Sequence, residues 1–425
     1  MQQRESLAVA DLSPWRIVLA LASGLLLAFS FPPLDLGWLA WLAIAPLLIA
    51  IRGLRPAQGF TLGLLCGFVY FGILLHYIHG VSTTIPWIAL ILFQSLFLSI
   101  FGFLAAVMWR CPSPWIRIPA LGAAWTAHEI IRGNFGPLGF TFGHLGYSQH
   151  RLLWVLQLAS LGGHYGLGFA IATFQAALVE AIPRFDYRGR PATGGPLVIL
   201  TSLLVAACIW GGARVSRQRD LVLKGSLDVT AVQGNIDYSA EDGYDQLVDL
   251  SAARYIVRSQ NDGAGSDLIV WPETAIPIPL ESFPDTREWI ASTAKRINSH
   301  IFVGVAETAP GGSRYNSMWV IDPNGDKIAT YRKRYLVIFG EYVPFREQLP
   351  WLAKFPIRSF DFLPGRADLV LPINGIRVSP MICFEGTFPQ ISRRLVQKGA
   401  EMACGTALTA ACTAQTWWNR FSSRA

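Results

Sequence analysis

Three strings in the second half of this 425-residue chain each lead to a group that can do chemistry. Leu268-Ile-Val-Trp-Pro-Glu273 delivers a carboxylate, Tyr331-Arg-Lys333-Arg334 presents an ammonium in a basic cluster, and Val378-Ser-Pro-Met-Ile-Cys383-Phe-Glu385 delivers a thiol. A thiol with a pKa of about 8.5 is mostly protonated at neutral pH and needs a base to become a nucleophile. Glu273 fills that role if burial raises its pKa. Lys333 is suited to stabilise the oxyanion of a tetrahedral intermediate. Together the three would support acyl transfer through a thioester. Taken singly, each has a plainer reading. A Cys ending an apolar strand is usually a small buried hydrophobe, a Lys among Arg is a solvated face, and a Glu after Trp-Pro is a loop residue. The case rests on the three in combination.

The elements that must hold these groups follow from the pattern around them. From about Leu221 charged residues become common, and short strand-like runs alternate with turns: Asp228–Gln233, Asp267–Trp271, His300–Ala306 and Tyr315–Ile321. Pro323-Asn-Gly-Asp326 and Asn374-Gly375 are hairpin signals. Helices are expected at Tyr244–Gln260 and Thr286–Ile297, giving an α/β or α+β domain over 221–402.

The first half has a different composition. The whole chain is 52% hydrophobic and only 15% charged, against about 25% charged in a soluble globular protein, and its mean hydropathy is +0.37. Seven apolar runs, Ile17–Phe31, Leu36–Ile51, Phe60–Ile78, Ile85–Trp109, Trp115–Ile131, Leu156–Ile182 and Pro196–Gly212, define a transmembrane domain over 1–220. The first two are short against the roughly 20 residues a span needs and read as tilted spans or a re-entrant pair. Arg4, Arg16, Arg52, Arg55, Arg110, Arg117, Arg184, Arg188 and Arg190 fall at the N-terminus and in alternate loops, with little more than Arg132 and Arg151 opposite. The positive-inside rule then places the N-terminus in the cytoplasm and the second domain outside. Arg214, Arg217, Arg219 and Lys224 fall on the outer side against that rule, which long translocated domains obey weakly. The net charge of +7 is therefore a topology signal and not a nucleic-acid patch. Six scattered cysteines show no metal or disulfide spacing, so no metal or cofactor is expected. His76, His128, Glu129, His144 and His164 lie in or beside the spans and are expected to be satisfied within the bundle, while Gly162-Gly163 and Gly166-x-Gly168 are expected to permit close helix packing.

Trp271-Pro-Glu-Thr-Ala275, the run from Tyr331 to Pro344 and Met381-Ile-Cys-Phe-Glu385 resemble the carbon–nitrogen hydrolase (nitrilase) superfamily, and within it the apolipoprotein N-acyltransferase family of Gram-negative bacteria. Val232-Gln-Gly-Asn235, the multi-span half and Leu145-Gly-Tyr-Ser-Gln149 fit the same family. The resemblance implies an αββα sandwich on the periplasmic side of a helical bundle in the inner membrane. It implies Glu273 as base, Lys333 as oxyanion stabiliser and Cys383 as nucleophile. Glu341 would support the lysine, Glu385 would be an active-site carboxylate, and Asn316 would lie near the site. It further implies an acyl chain drawn from a phospholipid, typically phosphatidylethanolamine, passed through the Cys383 thioester to the α-amine of a diacylglyceryl-cysteine at an apolipoprotein's N-terminus, by a monomer.

The chain departs from the family after Gly399. The stretch 403–425 lacks the family's Asn-Asp-x-Trp-Phe-Gly string and a closing span, and reads as a frameshifted or prematurely ended product. The sandwich would then be incomplete, with a raw sheet edge and with Cys404 and Cys412 as free thiols able to pair with Cys383. Tyr335 and Ile338 stand where the family more often has His and Pro. Two alternatives remain open: a membrane-tethered amidase or nitrilase using water, and a catalytically inactive member.

Overall fold

The computed structural model describes residues 12–79, 84–182, 194–219, 226–234, 236, 244–338, 340–343, 348 and 361–406. The chain divides into two units, Met1–Leu221 and Val222–Ala425.

Helices in the first unit span Pro14–Phe29, Ala45–Ile51, Pro56–Leu74, Thr84–Met108, Pro114–Gly133, Ala159–Ala181 and Gly195–Arg219. Three, at Pro56–Leu74, Thr84–Met108 and Gly195–Arg217, are long and apolar enough to cross a membrane. The first two of these three pack along a glycine seam. Gly59, Gly63 and Gly67 recur every four residues, and Cβ atoms on Gly63 and Gly67 would lie 2.9 Å from the Cα atoms of Ser99 and Ser95. Bare backbones thus meet, the small-residue packing of membrane helices. Gly162 and Gly163 serve another purpose than the expected close packing. Among the described residues nothing lies within 4 Å of a Cβ built on either, and Gly163 takes φ +64°, breaking the helix there.

The run Leu36–Ile51 is not one helix but a 3₁₀ turn, Gly37–Trp41, followed by Ala45–Ile51. Neighbouring glutamines satisfy the break, as irregular backbone at membrane depth requires. Gln175 Oε1 accepts from the Ile44 and Ala45 N–H groups at 2.7 and 3.0 Å, and its Nε2 donates to Ala40 O at 2.9 Å. Gln149 Nε2 donates to Gly37 O at 2.7 Å. Buried ionisable groups pin a second irregular segment, 142–145. Glu129 accepts from Leu145 N–H at 2.6 Å, Arg132 donates to Phe142 O at 2.7 Å, and the His144 and His164 rings meet at 2.9 Å. The arginine-bearing loop with Arg184, Arg188 and Arg190, and Arg4, lie outside the described residues.

The second unit holds strands β1 (Val229–Ala231), β2 (Leu268–Val270), β3 (Ile276–Pro279), β4 (His300–Thr308), β5 (Arg314–Ile321), β6 (Lys327–Arg332), β7 (Leu371–Ile373), β8 (Ile376–Ile382) and β9 (Met402–Thr406). Among the described residues, β1-β2-β4-β5-β6 run in that order with β3 beside β4, and β7-β8-β9 form a second sheet. Two-residue alternation sorts the strands' side chains between layers. Ile269, Ile301, Val303 and Val305 face Ala252, Tyr255, Ile290 and Ala294 on helices Tyr244–Asp262 and Pro284–Ile297. Leu268, Val270, Phe302, Met318, Val320 and Tyr331 face Leu371, Ile373, Val378 and Ile382 of the second sheet. Met381 and Ala403 of that sheet cluster with Ile391 and Leu395 on helix Pro389–Gln397. The layering is α-β-β-α. The hairpins form where turn chemistry asks: Asn374 and Gly375 take φ +45° and +82°, and the Asp322 carboxylate accepts from Asn324 and Asp326 N–H groups at 2.9 and 2.8 Å.

One expectation about the tail changes. β9 runs four residues into 403–425 and pairs in parallel with β8, from Val378↔Met402 to Ile382↔Thr406. It carries a single β-branched residue, Thr406, so propensity did not reveal it, and pairing with a buried strand overrode propensity. Cys404 sits in the inter-sheet core, unpaired, and burial pushes its thiol up to about 12, which makes it inert. Residues 407–425, with Cys412, lie outside the described residues.

Phe302, fully buried between the two sheets, is the natural probe of this layering. Phe302→Ala is expected to cost about 3–5 kcal/mol, read as a lowered unfolding midpoint of the second unit in detergent.

Candidate active site

Glu273 stands three residues beyond β2, where the chain turns sharply. Thr274, next in sequence, adopts φ +48°. The turn lies against β4 at Gly304, where a Cβ would collide with the Pro272 carbonyl oxygen and lie 2.8 Å from Thr274 N. Only glycine lets the Glu273 turn settle there. Lys333 follows β6 directly and extends its ladder, with Lys333 N–H donating to Asn316 O at 2.8 Å. Gly365 N–H in turn donates to Lys333 O at 2.8 Å, and Phe362 N–H to Glu341 O at 2.8 Å. The segment 361–365 thereby fixes the backbone behind both residues.

The side chains converge. Lys333 Nζ lies 2.9 Å from Glu273 Oε1 and 2.9 Å from Glu341 Oε2, and Lys333 is only 1% exposed. Asn316 stands between the carboxylates, its Nδ2 donating to Glu273 Oε1 at 2.7 Å and Glu341 Oε1 at 2.6 Å. Val337 N–H donates to Glu341 Oε2 at 2.7 Å. Cys383, half-buried, begins the turn after β8 with φ +50° and hydrogen-bonds Glu273. Backbone strain of this kind at both the thiol and the carboxylate turn clusters at functional sites.

Electrostatics correct one expectation. Burial alone pushes the Glu273 carboxyl up, but the Lys333 charge and hydrogen bonds from Lys333, Asn316 and Cys383 outweigh it and hold Glu273 below the ordinary carboxylate value. Glu273 is therefore ionised at neutral pH, and not poised by desolvation as its sequence context suggested. Burial likewise disfavours the Lys333 ammonium, but Glu273 and Glu341 hold it well above the ordinary lysine value.

Glu385 is placed differently from the other carboxylates. It is fully buried and accepts from Tyr331 Oη at 2.8 Å, Arg334 N–H at 2.7 Å and Ile382 N–H at 2.9 Å. It packs behind the site as a tie between chain segments. Glu341 and Asn316, by contrast, touch the ammonium or its partner directly. The Tyr331 hydroxyl and the clearance at Gly304 went unread in the sequence. Tyr331 shares inward parity with Lys333 while Arg332 points out to Glu307 at 2.8 Å, a period-two signal that was available. Asn235 and Pro344 of the quoted strings lie outside the described residues.

The paired charges set a pH window. Glu273, lowered from 4.5, contributes stability that is present above 4.5 and lost as pH falls through its folded value. Lys333, raised from 10.5, contributes stability that is present below 10.5 and lost as pH rises through its folded value. The unfolding midpoint of the second unit should thus hold level between these limits and fall on either side. Lys333→Ala should cost about 3–5 kcal/mol at neutral pH by stranding two carboxylates, measured by thermal unfolding.

Residues 23–177 match the apolipoprotein N-acyltransferase N-terminal domain, and residues 228–425 match the carbon-nitrogen hydrolase family. An apolipoprotein N-acyltransferase from Geobacter metallireducens is 32% identical over 96% of this chain and 78% of its own length. One from Azotobacter vinelandii is 33% identical over 90% of this chain and 75% of its own. A weaker likeness, to a crystal structure of an amidase from Nesterenkonia sp., has 19% identity and a TM-score of 0.33 over 44% of this chain and 67% of that one. By its two domain matches and its full-length relatives, the chain belongs to the apolipoprotein N-acyltransferase family, whose second domain is a carbon–nitrogen hydrolase.

Proposed function

We propose that this chain transfers an acyl chain from a phospholipid, through a thioester on Cys383, to the α-amine of the diacylglyceryl-cysteine that begins an apolipoprotein. The observation that carries the reading is the buried Glu273–Lys333–Glu341 cluster with the Cys383 thiol on Glu273, in a chain whose other unit has helices able to cross a membrane.

Glu273 takes the thiol proton as Cys383 Sγ attacks the ester carbonyl carbon. The carbonyl oxygen becomes an oxyanion facing Lys333. An ammonium has three N–H donors, and Glu273 and Glu341 engage two, which leaves one for the oxyanion. The tetrahedral intermediate collapses, the C–O bond breaks, and the proton on Glu273 passes to the departing lysophospholipid alkoxide. In the second half the acceptor amine attacks the thioester carbonyl, Glu273 takes a proton from the nitrogen, and Cys383 leaves as a thiolate that recovers a proton. The products are an amide and the free thiol. Because both substrates are lipids, the site belongs at a bilayer surface, where scarce water favours aminolysis over hydrolysis. Phosphatidylethanolamine as donor, the inner membrane as location and the periplasmic side for the second unit follow from the family and the arginine distribution.

Purified protein incubated with phosphatidylethanolamine carrying a tagged acyl chain should acquire hydroxylamine-sensitive label on Cys383, absent in Cys383→Ala, and should pass it to a diacylglyceryl-cysteine peptide. Glu273→Gln should slow labelling by about 10²–10⁴-fold, the range for a lost general base. Unlabelled Cys383 in folded wild-type protein would overturn the reading, and label lost to water without reaching the peptide would favour a hydrolase.

A further inference from the structure

The candidate site is divided between two sheets. Glu273 and Lys333 follow β2 and β6 of the six-stranded sheet, whereas Cys383 follows β8 of the three-stranded one. Backbone hydrogen bonds fix distances within a sheet, whereas the contact between the sheets is mostly apolar packing, which is non-directional. A reaction that needs a thiol, a carboxylate and an ammonium within about an ångström of their working places requires something more directional across that gap.

Glu385 supplies one end of such a link. Its Oε2 accepts from Ile382 N–H at 2.9 Å, one residue before Cys383. Its Oε1 accepts from Arg334 N–H at 2.7 Å and Tyr335 N–H at 3.3 Å, directly after Lys333. Tyr331, two residues before Lys333, donates its hydroxyl to both oxygens at 2.8 Å. The Tyr331 ring is buried in the inter-sheet core beside Met318, Val378 and Ile382. We propose that Tyr331 is a positioning residue, which through Glu385 fixes the separation of Cys383 from the Glu273–Lys333 pair.

The chemistry of the link suits this purpose. Burial and the Glu385 carboxylate hold the Tyr331 hydroxyl above the ordinary phenol value, so it remains a donor. Glu385 receives donors from the Tyr331 hydroxyl and from the Ile382, Arg334 and Tyr335 N–H groups. A bent phenol–carboxylate–amide bridge has preferred lengths and angles, so it sets a spacing that apolar contacts leave soft. Tyr331→Phe keeps the ring that fills the core and removes this directional contact alone.

The proposal rests on Cys383 being the acyl nucleophile, and two readouts separate its failure from that of the function. The first is the rate of Cys383 alkylation by iodoacetamide against pH, followed at the Cys383 peptide by mass spectrometry, which needs no lipid substrate. The second is steady-state acyl transfer. In Tyr331→Phe, with an unfolding midpoint near the wild type, alkylation at neutral pH is expected to slow about tenfold and its profile to move to higher pH, because the thiol loses its place beside Lys333 and Glu273. Acyl transfer should lose about tenfold in kcat with KM for phosphatidylethanolamine unchanged. Glu385→Gln should act in the same direction, and the double variant should be no worse than Glu385→Gln alone, as for two members of one link. A wild-type alkylation profile in Tyr331→Phe, a loss confined to KM, additive losses in the double variant, or a Tyr331→Phe chain that no longer folds would each overturn the proposal. An absence of acyl transfer by the wild type would overturn the function and leave the alkylation comparison to decide the link.

Discussion

A lysine ammonium with 1% of its surface exposed is the constraint around which the second unit is arranged. Removing that charge from water is costly, and attraction to carboxylates offsets the cost only when the geometry is good and remaining hydrogen bonds are satisfied. Lys333 therefore needs Glu273 and Glu341 at 2.9 Å each, and those carboxylates need Asn316 to occupy their other lone pairs. Asn316 in turn has its place because β5 pairs with β6 and carries the ladder on to Lys333 N–H. The absence of side chains at Gly304 and Gly365 follows from the same demand, since each lies against backbone that must turn toward the ammonium.

The Cys383 thiol is held by different means. Cys383 comes from a strand whose partners, β7 and β9, belong to the smaller sheet. Its left-handed backbone, φ +50°, turns the chain sharply at the strand end. Such strain persists only where the surroundings over-determine it. Here Val378 and Ile382 pack toward the first sheet, Met381 packs toward helix Pro389–Gln397, and Ile382 N–H bonds Glu385.

The elements that were legible in the sequence are those where local chemistry and tertiary demand agree. Residues of β4 such as Ile301 and Val303 are β-branched and buried, Asn374-Gly375 is a turn in its own right, and Glu273 and Cys383 each follow a buried apolar strand. The parts that were not legible are those where context overrules. β9 carries Ala, Cys and Gly and becomes a strand because β8 offers it a ladder. The helix break at Gly163 resembles a packing motif until its surroundings prove open. The ionisation of Glu273 is the clearest case. Trp-Pro-Glu predicts a buried carboxyl, and burial is indeed the largest influence on it, but the sign is set by Lys333, 60 residues away in sequence.

That sign bears on the proposed reaction, in which an ionised carboxylate of lowered pKa acts as a base toward a thiol. With Glu273 and Glu341 as carboxylates and Lys333 as ammonium, the cluster carries one net negative charge. Loss of the thiol proton to bulk water would raise it to two in a region of low dielectric, which is strongly opposed. Transfer of that proton to Glu273 leaves the net charge unchanged and releases Lys333 from one of its two partners. The ammonium is then freer to turn toward negative charge developing on sulfur and, in the next instant, on the substrate oxygen. Proton transfer, nucleophilic attack and redirection of Lys333 are in this sense one event. In that reaction the stabilisation that Glu273 gives up on protonation would be the stabilisation the oxyanion takes over, and the cluster would favour the transition state over the resting thiol.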